Sequence, residues 1–185
     1  MKHSFLFLAD GFEEIEAVAT VDVLRRCGMT VNTVAINPDG QATGANGVVV
    51  TADRTINEVE LDPETEWLIC PGGMPGASNL ASCGKLNEML TTHYENGGRI
   101  AAICASPAVV LAPLGILHGR KATCYPGFES MVESGVMTGD PVVALDTLVT
   151  GNGPGNTIAF ALAIAAISLG TQAAGDVASG MMVRK

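Results

Sequence analysis

The sequence predicts an α/β domain in which helices cover both faces of a mostly parallel sheet. Short apolar runs alternate with segments of helical periodicity along the chain. Glycine is abundant, with 22 residues, whereas aromatic residues make up only 4%, a composition that suits tight turns between strands and helices. A length of 185 residues with 48% hydrophobic residues supplies one sizeable core, so we expect residues 1–185 to form a single domain.

The first part of the chain predicts three strands and one helix. Residues 4–9 form a compact apolar run, and residues 13–27 carry apolar side chains at helical spacing before Gly28 ends the helix. Residues 30–36 are rich in β-branched side chains, and residues 47–51 form a similar run after a turn-rich segment. We therefore expect a strand, a helix and two further strands in this order.

The middle of the chain predicts two more strands that end in chemically distinctive turns. Residues 66–70 form the fourth expected strand and lead into a glycine-rich turn. A helix is expected over residues 86–95, and a fifth strand over residues 99–103. The chain then turns sharply at Cys104.

Proline marks the start of the two remaining helices. Pro107 opens a helix predicted over residues 107–114, and Pro154 precedes a helix in the apolar stretch 158–169. Proline fits the first helical turn because the N–H that it lacks would be unpaired there. The stretch 158–169 has about half of the ~20 residues that a helix needs to cross a bilayer, so we expect a buried helix and no membrane partner.

The charge and the cysteine count exclude several classes of protein. A net charge of -9 repels phosphate backbones, and Lys and Arg form no cluster, so no nucleic-acid partner is expected. Residues 1–9 lack the long apolar core and cleavage site of a secretory signal, which favours a cytoplasmic location. The five cysteines are widely spaced, with no CxxC pair and no His at ligand spacing, so neither a disulfide framework nor a metal site is expected.

Cys104 is the first candidate for chemistry, because it directly follows an apolar strand and precedes a helix. This position predicts the sharp turn that exposes a nucleophile and directs helix N-terminal amides toward it. Those amides would lower the pKa of the thiol. The alternative is a small buried thiol that only fills space.

The glycine-rich turn at residues 71–76 is the second candidate. The backbone amides of Gly72 and Gly73 could stabilise developing negative charge, as donors do in oxyanion holes. The alternative is a plain loop. The turn has neither the lysine of a P-loop nor the spacing of a dinucleotide fingerprint, so no cofactor is expected.

A group of glutamates in the first turn of the first helix is the third candidate. Negative charge at a helix start is stabilising, which accounts for Glu13 and Glu14. Glu16 lies between Ile15 and Ala17 and is expected to face the sheet, where burial would raise its pKa. A protonated glutamate beside a thiolate would make chemical sense.

Four motifs together resemble a known family. The sequence reads AAICASP around Cys104, PGGMPGASNL at residues 71–80, DGFEEIEA at residues 10–17 and GPGN at residues 153–156. In their order along the chain and in their spacing, they resemble the DJ-one/ThiJ/PfpI superfamily from the first strand to the last helix. The resemblance implies a flavodoxin-like three-layer sandwich with a mostly parallel sheet, of the class I glutamine amidotransferase-like type, and usually a homodimer.

The resemblance also implies a role for each candidate residue. Cys104 would be the nucleophile on a strained turn, and Glu16 would be its protonated partner. The amides of Gly72, Gly73 and Ala105 would form an anion pocket.

Two positions depart from patterns of the superfamily. Ala105 stands where the protease-like branch places a histidine, so a Cys–His peptidase is not expected. Within the superfamily, the sequence most resembles the branch that holds the parkinsonism-associated protein and bacterial proteins labelled as thiazole monophosphate biosynthesis enzymes. That branch often has a histidine where Tyr125 stands here. Asp22 matches the acidic residue that usually accompanies this histidine, so in this sequence Asp22 has no imidazole as its partner.

The residues and the resemblance predict a cofactor-independent glyoxalase or protein deglycase that acts on small α-oxoaldehydes. Cys104 would add to the aldehyde, the glycine amides would hold the oxyanion, and Glu16 would move a proton between adjacent carbons. The alternative is an oxidative-stress sensor or chaperone in which Cys104 is oxidised. A third possibility is a relative that has the site but no useful activity.

Overall fold

A computed structural model describes residues 1–183 of the chain. The strands in chain order are β1 (His3–Leu8), β2 (Thr30–Ala35), β3 (Gln41–Thr43), β4 (Val49–Thr51), β5 (Arg54–Thr55), β6 (Thr65–Cys70), β7 (Arg99–Ile103), β8 (Lys121–Ala122), β9 (Val136–Met137), β10 (Val142–Leu145) and β11 (Leu148–Gly151). The helices are α1 (Glu14–Arg26), α2 (Gly76–Ala81), α3 (Gly84–Glu95), α4 (Thr157–Leu169) and α5 (Thr171–Gly180).

The central sheet has seven strands in the order β10-β11-β7-β6-β1-β2-β5. All neighbouring strands pair in parallel except β10 and β11, which form an antiparallel hairpin. From β2 the chain returns across β1 to form β6, so the direction of winding changes between β1 and β6. Clefts at such a point, beyond the carboxyl ends of the strands, are where ligands bind in open α/β sheets.

Helices cover both faces of the sheet, which confirms the predicted mostly parallel α/β sandwich. Along β1, Leu6 and Leu8 pack in the layer of α1, α4 and α5, whereas Phe5 and Phe7 pack in the layer of α2 and α3. This alternation follows from the two-residue period of a strand. Each fully buried Leu or Phe contributes about 1.5–3 kcal/mol relative to an exposed one, so both layers are firmly attached to the sheet.

One strand prediction needs correction, and three strands of the main sheet, β5, β10 and β11, were not predicted. The third expected strand, residues 47–51, is reduced to β4, which pairs with β3 in a separate hairpin outside the main sheet. The strand that does extend that edge of the main sheet is the two-residue β5, which pairs with β2. The hairpin of β10 and β11 was not expected from the sequence, although β11 lies against β7 inside the sheet.

The helices differ from the predictions in smaller ways. The segment after the Cys104 turn is a π-helical turn, Pro107–Leu111, rather than a helix that continues through residue 114. The apolar helix α4 buries one face, which includes Phe160 and Ile164, while other side chains on it are partly exposed. Within residues 1–183 no helix is long and apolar enough to cross a membrane.

Candidate active site

Three chain segments meet at the carboxyl ends of β1, β6 and β7: the start of α1, the glycine-rich turn and the sharp turn at Cys104. Hydrogen bonds join them: the Glu13 backbone N–H donates to the Gly72 carbonyl at 2.9 Å, and the Ser106 hydroxyl donates to the Pro71 carbonyl at 2.5 Å. The sharp turn at Cys104 is therefore held against the glycine-rich turn, and both are held against the start of α1.

Cys104 occupies a strained backbone position at the end of β7. Its φ angle is +64°, in the left-handed region that residues other than glycine rarely adopt. Such a conformation costs about 1–3 kcal/mol and persists only where its surroundings enforce it. Here the Cys104 N–H donates to the Gly151 carbonyl at 2.9 Å, and the Cys104 carbonyl accepts from the Tyr125 N–H at 2.8 Å. Both bonds fix the direction of the thiol, which is 8% exposed.

The backbone amides around the thiol divide into two groups. The N–H groups of Gly73 and Ala105 face the Cys104 sulfur, and each lowers the pKa of the thiol. The Gly72 N–H instead donates to Oε2 of Glu16 at 2.7 Å. The expectation that the Gly72 amide faces an oxyanion is thus corrected, because the buried carboxyl of Glu16 already takes this donor.

Glycine is required at both positions of this turn. A Cβ at Gly72 would lie 2.5 Å from the Cys104 Cβ and 2.8 Å from Glu16 Oε2, so no side chain fits between nucleophile and carboxyl. Gly73 has a φ of +87°, and a Cβ there would collide with the backbone of Gly11 and Glu13. The absence of side chains lets Glu16 and Cys104 approach each other across the turn.

Glu16 is fully buried, with 0% exposure, in the first turn of α1. Burial raises the pKa of its carboxyl to about 7, and the nearby charge of Glu13 adds to the rise, whereas the Gly72 N–H and the Cys104 thiol oppose it. Oε1 is buried and has no hydrogen-bond partner within residues 1–183. A carboxyl that keeps its proton up to about pH 7 agrees with this environment, because the proton can reside on Oε1.

The pKa of the Cys104 thiol is raised to about 12, opposite to the fall expected from amides at a helix start. Burial is the largest cause, and the negative charge of ionised Glu16 is the second. The N–H groups of Gly73 and Ala105 act in the opposite direction but are outweighed. The sequence-based expectation treated only the amides, because the extent of burial is not visible in the sequence.

Cys104 and Glu16 therefore behave as one acid that loses its first proton near pH 7 and its second near pH 12. Between these values the pair holds one proton and one negative charge. The proton can move from sulfur to carboxyl without a change in net charge, which leaves a thiolate beside a neutral Glu16. In that form the repulsion from Glu16 is absent and the amides of Gly73 and Ala105 favour the thiolate.

We expect this pair to make the folded protein less stable as the pH rises. In the unfolded chain Glu16 keeps its proton only below about pH 4.5, whereas the folded pair keeps its first proton to about pH 7. Between these values the folded state binds more protons than the unfolded state, so its stability falls with rising pH, by about 3 kcal/mol in total.

Urea unfolding from pH 4.5 to 8 measures this effect. The free energy of unfolding of wild type should decrease relative to that of Glu16→Gln over this range. Glu88→Gln, on an exposed position of α3, should follow wild type and serves as the control. If the unfolding free energies of wild type and Glu16→Gln depend on pH in the same way, the folded pair loses its first proton near the ordinary pKa of a glutamate.

Asp22 and Tyr125, the two possible supporting residues, lie in different environments. Asp22 is about half exposed on α1 and accepts a hydrogen bond from Arg26 Nε at 2.8 Å. The backbone N–H of Tyr125 donates to the Cys104 carbonyl, which places Tyr125 beside the nucleophile, and the residue is 45% exposed. No hydrogen bond joins Asp22 to Tyr125 in the described part of the chain, so the structure does not bring them together as a relay.

One residue of the site was not singled out from the sequence. Ser106 is fully buried, and its bond to Pro71 connects the two turns that face each other across the thiol. The only sequence signal was its place between the nucleophile and Pro107, which is also a common place for a residue that supports a helix start. Across residues 1–183, no three His, Cys, Asp or Glu side chains gather in a group suited to a metal ion.

Residues 2–167 match the model of the DJ-1/PfpI family. The chain belongs to the DJ-1/PfpI family. The family resemblance stated from the four motifs is thereby confirmed.

Curated relatives within the DJ-1/PfpI family cover nearly the whole chain. DJ-1 homolog B of Arabidopsis thaliana is 32% identical over 96% of this chain, although the match spans only 40% of that longer protein. Protein dj-1beta of Drosophila melanogaster is 33% identical over 98% of this chain and 97% of its own length. A glutathione-independent glyoxalase of Caenorhabditis elegans is 38% identical over 82% of this chain and 80% of its own length.

Solved DJ-1 structures share the fold over the full chain. A cysteine-to-alanine mutant of a DJ-1 superfamily protein from Salmonella typhimurium superposes with a TM-score of 0.94 at 31% identity, and the match covers 100% of both chains. Oxidised DJ-1 from Toxoplasma gondii superposes with a TM-score of 0.92 at 34% identity, again over 100% of both chains. These neighbours agree with the three-layer sandwich described above.

Proposed function

We propose that this chain is a cofactor-independent glyoxalase that converts small α-oxoaldehydes to 2-hydroxy acids. The observation that carries the proposal is the buried pair of Cys104 and Glu16, which shares one proton beside the amides of Gly73 and Ala105. The glyoxalase described for the relative from Caenorhabditis elegans supports the same chemistry. Deglycase activity on adducts of such aldehydes would use the same nucleophile.

The first step is addition of the thiol to the aldehyde. With the shared proton on Glu16, the Cys104 thiolate attacks the aldehyde carbon and forms a C–S bond. The oxygen that gains negative charge lies toward the N–H groups of Gly73 and Ala105, which act as an oxyanion hole. Glu16 then gives its proton to this oxygen, and the product is a hemithioacetal with a neutral hydroxyl.

The second step moves hydrogen between adjacent carbons. Glu16, now a carboxylate, removes the proton from the former aldehyde carbon and returns it to the former ketone carbon. The hydroxyl proton of the hemithioacetal passes to the former ketone oxygen, so the first carbon becomes a thioester carbonyl and the second carries a hydroxyl. Water then cleaves the thioester, which releases the 2-hydroxy acid and restores the thiol. No atom is oxidised by an outside reagent, so the reaction needs no cofactor.

Incubation with methylglyoxal in buffer without glutathione tests this function. We expect the purified protein to form lactate with multiple turnovers, measured by an enzymatic lactate assay, while a protein-free sample serves as the control. Lactate formation that does not exceed the protein-free rate would contradict the proposal.

A second candidate is a redox sensor in which peroxide oxidises Cys104 to a sulfenate or sulfinate. The oxidised structure of the Toxoplasma gondii relative favours this candidate. Peroxide treatment followed by peptide mass mapping distinguishes the two: a sensor gains oxygen selectively at Cys104 at low peroxide concentrations and does not consume methylglyoxal catalytically.

We further propose that the chain forms a homodimer, as the family resemblance implies. Ile15 and Val18 on α1 are 56% and 52% exposed, and Val48 and Val49 near the adjacent hairpin are 52% and 56% exposed. Adjacent exposed aliphatic side chains of this kind are typical of an interface. Light scattering at micromolar concentration should give about twice the chain mass of 19.0 kDa. A mass near 19.0 kDa would refute the dimer.

A further inference from the structure

The loop after β1 and the first turn of α1 carry four carboxylates, and three of them already have partners. Asp10 accepts the Thr43 backbone N–H at 2.8 Å. Glu14 accepts the backbone N–H of Asn46 at 2.7 Å and its side-chain amide at 2.9 Å. Glu16 accepts the Gly72 N–H at 2.7 Å. Asp10 and Glu14 therefore hold the β3–β4 hairpin, and Glu16 is part of the reactive pair.

Glu13 is the exception among these carboxylates. Its side chain is partly exposed and makes no hydrogen bond or ion pair within residues 1–183. Its backbone is nevertheless fixed beside the site, because its N–H bonds to the Gly72 carbonyl and its nitrogen lies 2.4 Å from the position that a Cβ on Gly73 would take. The negative charge of its carboxylate contributes to the raised pKa of Glu16. Glu13 is thus anchored at the edge of the anion pocket with its carboxylate unoccupied.

The proposed reaction leaves one task without a group to perform it. Cleavage of the thioester requires a base that takes a proton from water. Glu16 has 0% exposure, and its Oε2 accepts the Gly72 N–H, so its carboxyl has no access to bulk water. The Cys104 sulfur is the leaving group and cannot serve as the base. The base must be an ionised group that is accessible to solvent and lies beside the anion pocket.

We infer that Glu13 is the base that activates water for cleavage of the thioester on Cys104, an inference that rests on the proposed glyoxalase function. Glu13 takes a proton from water while the water oxygen bonds to the thioester carbonyl carbon. The amides of Gly73 and Ala105 hold the resulting oxyanion. The C–S bond then breaks, and its electron pair stays on the Cys104 sulfur. The carboxyl proton of the new 2-hydroxy acid passes to Glu16, which restores the shared proton of the pair. The acid leaves as its anion, and the proton on Glu13 passes to solvent.

Glu13 and Glu16 therefore serve different half-reactions. Glu16 acts before the thioester forms, and Glu13 acts after it. Glu13→Gln should leave thioester formation nearly unchanged and slow its hydrolysis by roughly 10²-fold, a typical contribution of a general base. Lactoyl thioester would then accumulate on Cys104 in a pre-steady-state burst. Glu16→Gln should show no such burst, because the hydrogen transfer that makes the thioester is blocked.

A rapid-quench experiment with methylglyoxal tests this division. Samples are quenched in acid, free methylglyoxal is removed so that any hemithioacetal reverses, and hydroxylamine then converts the remaining thioester to lactohydroxamate, which is quantified by mass spectrometry. When free methylglyoxal is first removed from unquenched Glu13→Gln, hydroxylamine should release the acyl group from Cys104 as lactohydroxamate, because this nucleophile needs no base. Glu14→Gln is the matched control, since it removes the same charge from the adjacent position, and it should accumulate no thioester.

The outcomes separate this inference from the proposed function. If Glu13→Gln accumulates a thioester that hydroxylamine releases after methylglyoxal is removed, Glu13 is the base of the second half-reaction. If wild type forms lactate but Glu13→Gln slows thioester formation and steady-state turnover equally, Glu13 acts only through the effect of its charge on Glu16. The inference is then overturned. If wild type forms no lactate, the proposed function itself fails and the inference fails with it.

Discussion

Replacement of Cys104 with alanine is expected to lower lactate formation from methylglyoxal by at least about 10³-fold, because covalent catalysis loses its nucleophile. No other thiol can replace it. Cys70 and Cys124 are buried, and burial raises the pKa of their thiols to about 12 and about 11. Cys27 and Cys83 are partly exposed but lie outside the meeting point of the three segments.

Cys83→Ala is the matched control for this variant. Cys83 precedes the first residue of α3, so it is also a thiol at a helix start, yet it lacks the glycine turn and the buried glutamate. We expect Cys83→Ala to keep nearly full turnover. Circular dichroism should show that both variants retain the fold. Turnover of Cys104→Ala within tenfold of wild type would show that the reaction does not pass through a bond to this sulfur.

Glu16→Gln is expected to reduce the same turnover by roughly 10²-fold or more. Glutamine keeps the shape of the side chain, and its carbonyl can still accept the Gly72 N–H, so the variant isolates the loss of proton transfer from the loss of packing. It cannot receive the thiol proton and cannot carry hydrogen between the two substrate carbons. The addition of the thiol to the aldehyde and the hydrogen transfer that forms the thioester are therefore both slowed.

The pH dependence of turnover sharpens this prediction. For wild type, kcat/KM should rise as the first proton leaves the pair, with a midpoint near pH 7. In Glu16→Gln this midpoint should move upward, because the buried thiol must then ionise without a carboxylate to receive its proton. A variant that retains both the wild-type rate and the wild-type midpoint would reduce Glu16 to a structural residue of α1.

Much of the sheet was predictable because its strands are locally encoded. Residues 99–103 were predicted as a strand and form β7, and residues 66–70 lie within β6. In both, a continuous apolar run is bounded by turn residues, which is the pattern of a strand buried on both faces. The turns that follow these strands were also visible, because glycine, proline and a lone cysteine stand directly after the apolar runs.

The edges of the sheet were not predictable in the same way. β11 contains a glycine and a threonine and gains its place from pairing with β7, a contact between residues far apart in sequence. The run at residues 47–51 has strand-forming residues, yet it pairs only with β3, because the intervening turn folds it back locally. Strand propensity depends strongly on such context, so local pattern alone cannot assign a partner.

At the site, the sequence identified the groups but not their environments. Cys104 and Glu16 were recognised as partners, and the structure brings both against Gly72. The direction of the Gly72 amide, which faces Glu16, depends on the backbone path of the turn. The rise in the thiol pKa depends on how completely helices and turns cover the sulfur. Neither quantity is encoded in a short motif.

The rate of Cys104 alkylation by iodoacetamide as a function of pH tests the shared proton most directly. Peptide mass mapping separates Cys104 from Cys83, which serves as an internal reference in each sample. We expect the Cys104 rate in wild type to rise with a midpoint near pH 7, and the midpoint in Glu16→Gln to lie above the ordinary thiol value of about 8.5. Identical midpoints in the two proteins, or a wild-type midpoint at or above about 8.5, would contradict the account of Cys104 and Glu16 as one acid.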